Sequence, residues 1–389
     1  MTQELTYLDH NATTPLKPAV REIMLQKMTV PGNASAIHKA GRAARRDIEE
    51  ARQQISQLVN AGPQALIVFT SGATEANNLV LKGSGVERIL VSAIEHPSVL
   101  QAHPHKEIIP VLSTGIIDLA AMDKMLEGND RSTLISVMLV NNETGIIQPL
   151  DQVMEIAKRR GALVHTDAVQ AAGRVPLDLQ KLGVDYMTLS AHKIGGPQGA
   201  GCLIMSNCVS VAPQISGGNQ EKNMRAGTEN LAAIAGFGVA AELAVRDMAA
   251  FERLAILRDK VEAELQKIAP IKILGKDVPR VANTTMFTLA GVSSETQLIA
   301  LDLAGVCVSN GSACASGTVK ASHVLKAMGV SEAEANSALR VSLGWNSTEK
   351  DVDYFVRKWT EMYERVHSRH SREGGNPGAQ WKGSITFIF

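Results

Sequence analysis

Lys193 is the residue around which chemistry is most readily built. It ends the run Ser190-Ala191-His192-Lys193 after an apolar stretch, and Gly195-Gly196-Pro197 follows. A lysine at a sheet edge can form a Schiff base with an aldehyde cofactor if its neighbours lower its pKa enough to supply neutral amine. Taken alone, such a lysine reads as a solvated surface side chain, so its partners decide. Asp167 closes the otherwise apolar run Ala162-Leu-Val-His-Thr-Asp; it is expected to be half-buried and to need a cation. The protonated ring nitrogen of a pyridoxal is such a cation, and a helix N-cap is the structural alternative. Gln170, three residues on, is within reach of the same ring's phenolate oxygen.

Thr70-Ser71-Gly72-Ala73-Thr74-Glu75 joins an apolar run to a helical one. Free N–H groups and hydroxyls at a helix start suit an anion such as phosphate. No Walker lysine or spacing accompanies them, so a nucleotide is not implied. His96, before Pro97, can stack on a planar ring or serve as an ordinary loop histidine. Cys314 lies in Ser309-Asn-Gly-Ser-Ala-Cys-Ala-Ser-Gly317. Small neighbours leave its thiol exposed, whereas Cys202 and Cys307 have the apolar neighbours of structural cysteines. An exposed thiol oxidises unless it is used. Arg340, among apolar residues in Leu339-Arg-Val-Ser-Leu343, suits bidentate capture of a carboxylate from the inner face of a strand, or else points to the surface.

These residues need a frame. Leu66–Phe69, Arg88–Ser92, Leu134–Val140, Ala162–Thr166 and Tyr186–Ser190 read as buried strands. Amphipathic segments such as Asp151–Arg160, closed by Gly161, lie between them. This is an α/β pattern with a mostly parallel sheet covered on both faces. Such sheets work at the carboxyl ends of their strands, where the polar clusters fall. Leu231–Val245 carries Glu242 and is too short to span a membrane, so a closely packed buried helix is expected. After about residue 250 a charged helix, Phe251–Ile268, leads into short strands and helices over Val281–Leu289, Gln297–Ala304 and Leu339–Leu343. The expected division is a large domain over 15–250, a smaller α+β domain from 1–14 and 251–367, and a disordered or loosely attached tail over 368–389.

The chain has 389 residues, 45% hydrophobic, with 39 basic and 39 acidic side chains. That neutral balance argues against nucleic acid or an anionic membrane as the main partner. Four cysteines without Cys-x-x-Cys spacing, and a start without a signal-peptide pattern, point to a reduced, cytoplasmic protein with no disulfide framework and no metal box.

Taken in order, the segments Tyr7-Leu-Asp-His-Asn-Ala-Thr-Thr-Pro15, Gly32-Asn33-Ala-Ser35 with His38, Phe69-Thr-Ser-Gly-Ala-Thr-Glu75, Val140-Asn-Asn-Glu-Thr-Gly145, His165-Thr-Asp-Ala-Val-Gln170, Ser190-Ala-His-Lys193, Met224-Arg-Ala-Gly-Thr-Glu-Asn230 and Gly311-Ser-Ala-Cys314 resemble the cysteine desulfurases of the class V aminotransferase family. The match runs from about residue 6 to 365. The resemblance implies a fold type I transferase using pyridoxal 5'-phosphate to take sulfur from L-cysteine. Lys193 would bind the cofactor, with His96 stacked on its ring, Asp167 on its ring nitrogen, and Gln170 and Asn142 near its ring oxygen and the substrate. Ala73, Thr74, Ser190 and His192 would hold its phosphate. Thr228 would reach that phosphate from a second subunit, making a homodimer. Asn33 and Arg340 would grip the substrate carboxylate, and Cys314 would carry the sulfur as a persulfide, with His96 a candidate acid/base. The small residues around Cys314 resemble the long loop of the iron–sulfur-cluster and nitrogen-fixation type. They imply a sulfur acceptor or cluster scaffold, or transfer to tRNA thiolation. A selenocysteine lyase, a small-amino-acid transaminase, or a non-catalytic interaction protein on the same fold are the alternatives.

Overall fold

The computed structural model describes residues 5–311 and 322–373. Cys314 and residues 374–389 of the expected tail lie outside the described residues. The central element is a seven-stranded sheet. Its spatial order is Leu66–Thr70, Gly201–Met205, Tyr186–Ser190, Leu163–Asp167, Thr133–Ser136, Arg88–Ser92 and Lys106–Ile109. Gly201–Met205 runs antiparallel to both of its neighbours, and the other pairings are parallel. The expected mostly parallel α/β sheet is therefore present. Strands Arg88–Ser92, Thr133–Ser136 and Tyr186–Ser190 are buried along their whole length. That is why they read as continuous apolar runs rather than as alternating patterns. The strand expected over Leu134–Val140 is regular only over Thr133–Ser136; beyond it Val137 and Leu139 still donate to the His165 and Asp167 carbonyls of the neighbouring strand before the loop Asn141–Gly145.

The helices obey their sequence signals. Lys39–Leu58 buries Ala44, Ile48, Ala51, Ile55 and Leu58 along one stripe, and the His38 ring caps it by accepting from the Gly41 N–H. Leu231–Arg246 is buried nearly all round, as its Ala/Gly composition suggested, and Asn230 caps it through the Ala233 N–H. Leu150–Arg160 ends at Gly161 in the left-handed conformation, φ 68°. No helix among the described residues is long and apolar enough to cross a membrane.

A second hydrophobic core gathers Leu8, Phe287, Leu301, Leu339, Val341, Phe355 and Trp359. It packs against a three-stranded antiparallel sheet, Leu339–Ser342, Thr284–Thr288 and Lys272–Ile273. Thr6–Tyr7 pairs in parallel with Val306–Cys307, so the first described residues belong to this later part of the chain. The charged helix expected over Phe251–Ile268 is two helices, Met248–Glu252 and Leu254–Ile268. The last helix, Glu349–Glu373, continues past Ser368, so the expected start of a loose tail at 368 is corrected to a helical continuation through Glu373.

One close approach fixes the sheet to the site. A Cβ on Gly201 would lie 2.6 Å from the Gly72 carbonyl carbon and 2.9 Å from the Ala73 nitrogen. Both are backbone atoms at the start of helix Ala73–Gly83, and neither can move aside cheaply. Gly201→Ala is expected to cost about 1–3 kcal/mol by overpacking, measured as a lower midpoint in urea unfolding. An unchanged midpoint would show that the helix start has room to move.

Candidate active site

The carboxyl ends of the parallel strands open into a cleft of about 550 Å³. Its wall includes Ala73, Thr74, His96, Asn142, Asp167, Gln170, Ser190, His192, Lys193 and Arg340. Ten of the expected site residues thus meet in one place, brought there from five strand ends and from the small antiparallel sheet. Gly311, the last described residue before the 312–321 segment, also lines it.

Lys193 follows strand Tyr186–Ser190 on a single 3-10 turn, Ala191–Lys193. Its Nζ donates to the Asn11 carbonyl and, at 2.8 Å, to the Ala12 carbonyl. These acceptors are neutral, so they do not offset the loss of water around an ammonium. Burial, followed by the Arg174 and Arg340 guanidinium groups, pulls the amine down to about 7, while Asp9 and Asp167 oppose this weakly. The chain therefore supplies neutral amine near physiological pH without another base.

Asp167 ends its strand buried. Asn77 donates to its Oδ2 at 2.9 Å, and the Val169 N–H donates to its Oδ1 at 3.0 Å. The Val169 bond is a local turn contact and not the helix cap that was the alternative, since the next helix begins only at Leu179, and no guanidinium or ammonium among the described residues pairs with the carboxylate. Asn77 also donates to the Ser98 hydroxyl at 2.9 Å. Ser98 in turn meets His96: its N–H donates to His96 Nδ1 at 3.1 Å, with the hydroxyl at 2.8 Å. One chain of contacts holds Asp167 and His96 together. Burial lowers the His96 pKa, Lys193 and His323 add to this, and Asp167 opposes it, so the ring is neutral at pH 7. His192 is likewise lowered, to about 4, chiefly by burial and then by Lys193; its Nδ1 lies 3.1 Å from the Thr13 hydroxyl.

Arg340 is buried on its strand opposite Met286. It does face inward, but it is already engaged. Nη1 donates to the Asn142 carbonyl at 2.9 Å and Nη2 to Asp9 Oδ1 at 2.5 Å, while Nε has no partner. Gln170 Nε2 donates to the Asn11 carbonyl at 3.0 Å, and its Oε1 is unpartnered. At the other end of the cleft, Ser71, Gly72, Ala73 and Thr74 lead into helix Ala73–Gly83, steadied by Glu75. Glu75 accepts from the Ser71 N–H at 2.8 Å and pairs with Arg225 at 2.9 Å.

Asn33 and Thr228 are not brought to this cleft within one chain. Both are exposed, and Asn33 accepts from the Ser35 N–H. The residues that sequence reasoning missed are Asp9, Asn11, Asn77, Ser98 and Arg174. The polar run Asp9-His10-Asn11 after the apolar Tyr7-Leu8 had the same form as the other strand-end clusters and could have been read the same way. Arg174 carried no signal of its own.

The molecule now has relatives to set beside it. Residues 6–355 match the family model described as aminotransferase class-V. The chain belongs to the class V aminotransferase family. Within it, an IscS-like cysteine desulfurase of Mycobacterium tuberculosis is 39% identical over 369 residues, covering 90% of this chain and 94% of that protein. A NifS-like protein of Rickettsia africae has a solved structure at TM-score 0.87 and 37% identity, over 93% of this chain and all of the other. A structure of SspA in complex with cysteine is similar at TM-score 0.74 and 29% identity, over 87% of this chain and 98% of the other. The six-against-one strand directions, and a cleft at their carboxyl ends, are what this class V chain builds its site from.

Competitive acylation of the ligand-free chain across pH 5 to 11 checks the amine. Lys193 should label with an apparent pKa of about 7, since the neutral amine reacts and appears as pH rises through that value. Ordinary surface lysines should label only near their usual value of about 10.4. A Lys193 that labels with them would overturn the account of its burial.

Proposed function

We propose that this class V chain is a pyridoxal-phosphate-dependent cysteine desulfurase, converting L-cysteine to L-alanine and holding the sulfur as a persulfide on Cys314. The observation that carries this reading is the convergence of Lys193, Asp167 and Arg340 on one cleft whose wall ends at Gly311. Cys314 is three residues further on, within about 10 Å of chain reach. The relatives named as cysteine desulfurases support the same reaction.

The residues present fit the cofactor. Asp167 is a buried carboxylate with no cationic partner among the described residues, Gln170 Oε1 is an unpartnered polar atom, and the start of helix Ala73–Gly83 faces the cleft as an anion site does. Lys193 would hold the aldehyde carbon, Asp167 the ring nitrogen, and Ala73, Thr74, Ser190 and His192 the phosphate, with His96, Asn142 and Gln170 about the ring. Bound there, pyridoxal phosphate supplies an aldehyde that captures amines and a ring that absorbs charge developing at the substrate α-carbon.

The protein's own groups do the rest. Arg340 orients the substrate carboxylate, as its buried guanidinium presents more donors than Asp9 and Asn142 use; Asn33 is proposed to assist. Lys193, neutral near pH 7, accepts the α-proton. The Cys314 thiolate attacks the sulfur of cysteine. An S–S bond forms as the C–S bond breaks, and the bonding pair remains with the carbon fragment, which takes up protons to become alanine. His96, neutral and tied to Ser98, is placed to carry a proton at the sulfur.

Thr228, exposed and outside the cleft of its own chain, supports a homodimer in which it serves the partner's phosphate. The core that gathers Leu8 with Phe287, Leu339 and Trp359 supports a smaller domain from 1–14 with 251–367 beside a large one over 15–250. Free thiols at Cys202, Cys208 and Cys307 support a cytoplasmic setting. A protein acceptor in iron–sulfur cluster assembly or tRNA thiolation is the proposed destination of the sulfur.

The test is to assay alanine and protein-bound persulfide from L-cysteine. Cys314→Ala should remain yellow but form no persulfide. His96→Ala should slow alanine formation by about 10²-fold or more, the range lost with a general acid or base. Full sulfur transfer by Cys314→Ala, or conversion of L-cysteine to its 2-oxo acid with the C–S bond intact in place of alanine, would refute the desulfurase reading.

A further inference from the structure

Behind the cleft lies a second, smaller chamber of about 150 Å³, with Lys193 in its wall as well. Arg174 lines it, a buried residue held by a single hydrogen bond: Nη1 donates to Asn11 Oδ1 at 2.6 Å. Among the described residues no carboxylate lies within ion-pairing distance of it. A guanidinium has five donors and does not give up its charge in proteins. Although burial and the nearby Arg340 lower it to about 9, it is a cation at neutral pH. A buried cation without an opposite charge costs several kcal/mol, so this one calls for an anion.

The rest of the chamber narrows the choice. Its one carboxylate, Asp247, is taken up by Lys17 at 3.0 Å and Arg246 at 2.8 Å. His10, pushed down to about 4 chiefly by burial, is neutral there. The lining also includes the apolar side chains of Ile194, Phe251, Leu254 and Trp345. An inorganic oxyanion would leave that apolar surface against water or charge rather than against an apolar group. A cavity of this volume accommodates a molecule of benzene's size when its walls are apolar.

We propose that this chamber is a second ligand site, taking a small monocarboxylate whose charged end sits on Arg174 and whose apolar body lies against Phe251 and Trp345. It is distinct from the cleft that holds Arg340, with only Lys193 common to the two linings; Asn11, on the cleft side, gives its side-chain oxygen to Arg174 and its backbone carbonyl to Lys193 and Gln170. The proposal does not depend on cysteine being the substrate of the cleft.

Benzoate is the probe, titrated calorimetrically into the full-length, cofactor-loaded protein, with neutral benzamide alongside. Binding of benzoate at a single site is expected, with benzamide weaker by about tenfold or more, as for loss of a charge-assisted hydrogen bond. Arg174→Met should lose benzoate to the same extent. Since it removes an uncompensated charge, its melting temperature should not fall. Ala250→Phe, at the exposed rim of the chamber, should block benzoate without touching Arg174, and serves should the methionine variant not fold. A crystal structure with benzoate should place its carboxylate on Arg174. Equal affinities for benzoate and benzamide, benzoate binding undiminished in the variant that folds, or benzoate density only at Arg340 would each overturn the proposal.

Discussion

An amine that must be neutral near pH 7 has to be kept away from water and away from anions, yet still be held in place. Lys193 meets all three demands through the backbone carbonyls of Asn11 and Ala12. They accept its hydrogen bonds without offering a full negative charge. The two nearby guanidinium groups then work with burial rather than against it. Arg340 is balanced by Asp9, and Arg174 is not balanced by any described residue. The site tolerates a concentration of positive charge that would be costly elsewhere in the chain, and that concentration lowers the proton affinity of the one amine.

Asn11 therefore carries more than its position in a loop suggests. Its carbonyl receives Lys193 and Gln170, its side-chain oxygen receives Arg174, and its side-chain nitrogen donates to Thr284 and to the Asn142 carbonyl. It joins the large sheet to the small one through polar contacts that are individually modest. Such networks hold best when every member is satisfied. The unpartnered atoms, Gln170 Oε1 and Arg340 Nε, are buried atoms of residues that line the cleft.

Much of this was legible beforehand, because the parallel strands are buried on both faces and so announce themselves as apolar runs ending in polar clusters. Asp167, Lys193 and His96 could be placed at strand ends for that reason. The Leu134–Val140 run overstated the regular strand, since Val137 and Leu139 stay buried and bonded to the neighbouring strand beyond its end at Ser136. The break at Arg253 and the helix running through Glu373 were missed for a related reason: charged surface residues suit helix and loop alike, and tertiary packing chooses between them. Arg174 was invisible because an arginine following Ala-Ala-Gly has nothing local to mark it as buried. Only the arrival of Asn11, more than 160 positions earlier in the chain, makes it so.

The pairing of Thr6–Tyr7 with Val306–Cys307, and of Leu8 and His10 with Ser342 through backbone hydrogen bonds, has a consequence for how the molecule is made. The strands of the large sheet lie within residues 66–205, whereas the strands that pair with Thr6–Tyr7 and bond to His10 come only at Val306–Cys307 and Leu339–Ser342. On a ribosome adding about 5–20 residues per second, the later strands follow Met205 after an interval on the order of ten seconds. The full set of backbone bonds that fixes Asn11 and Ala12 over Lys193 is therefore available only late in synthesis.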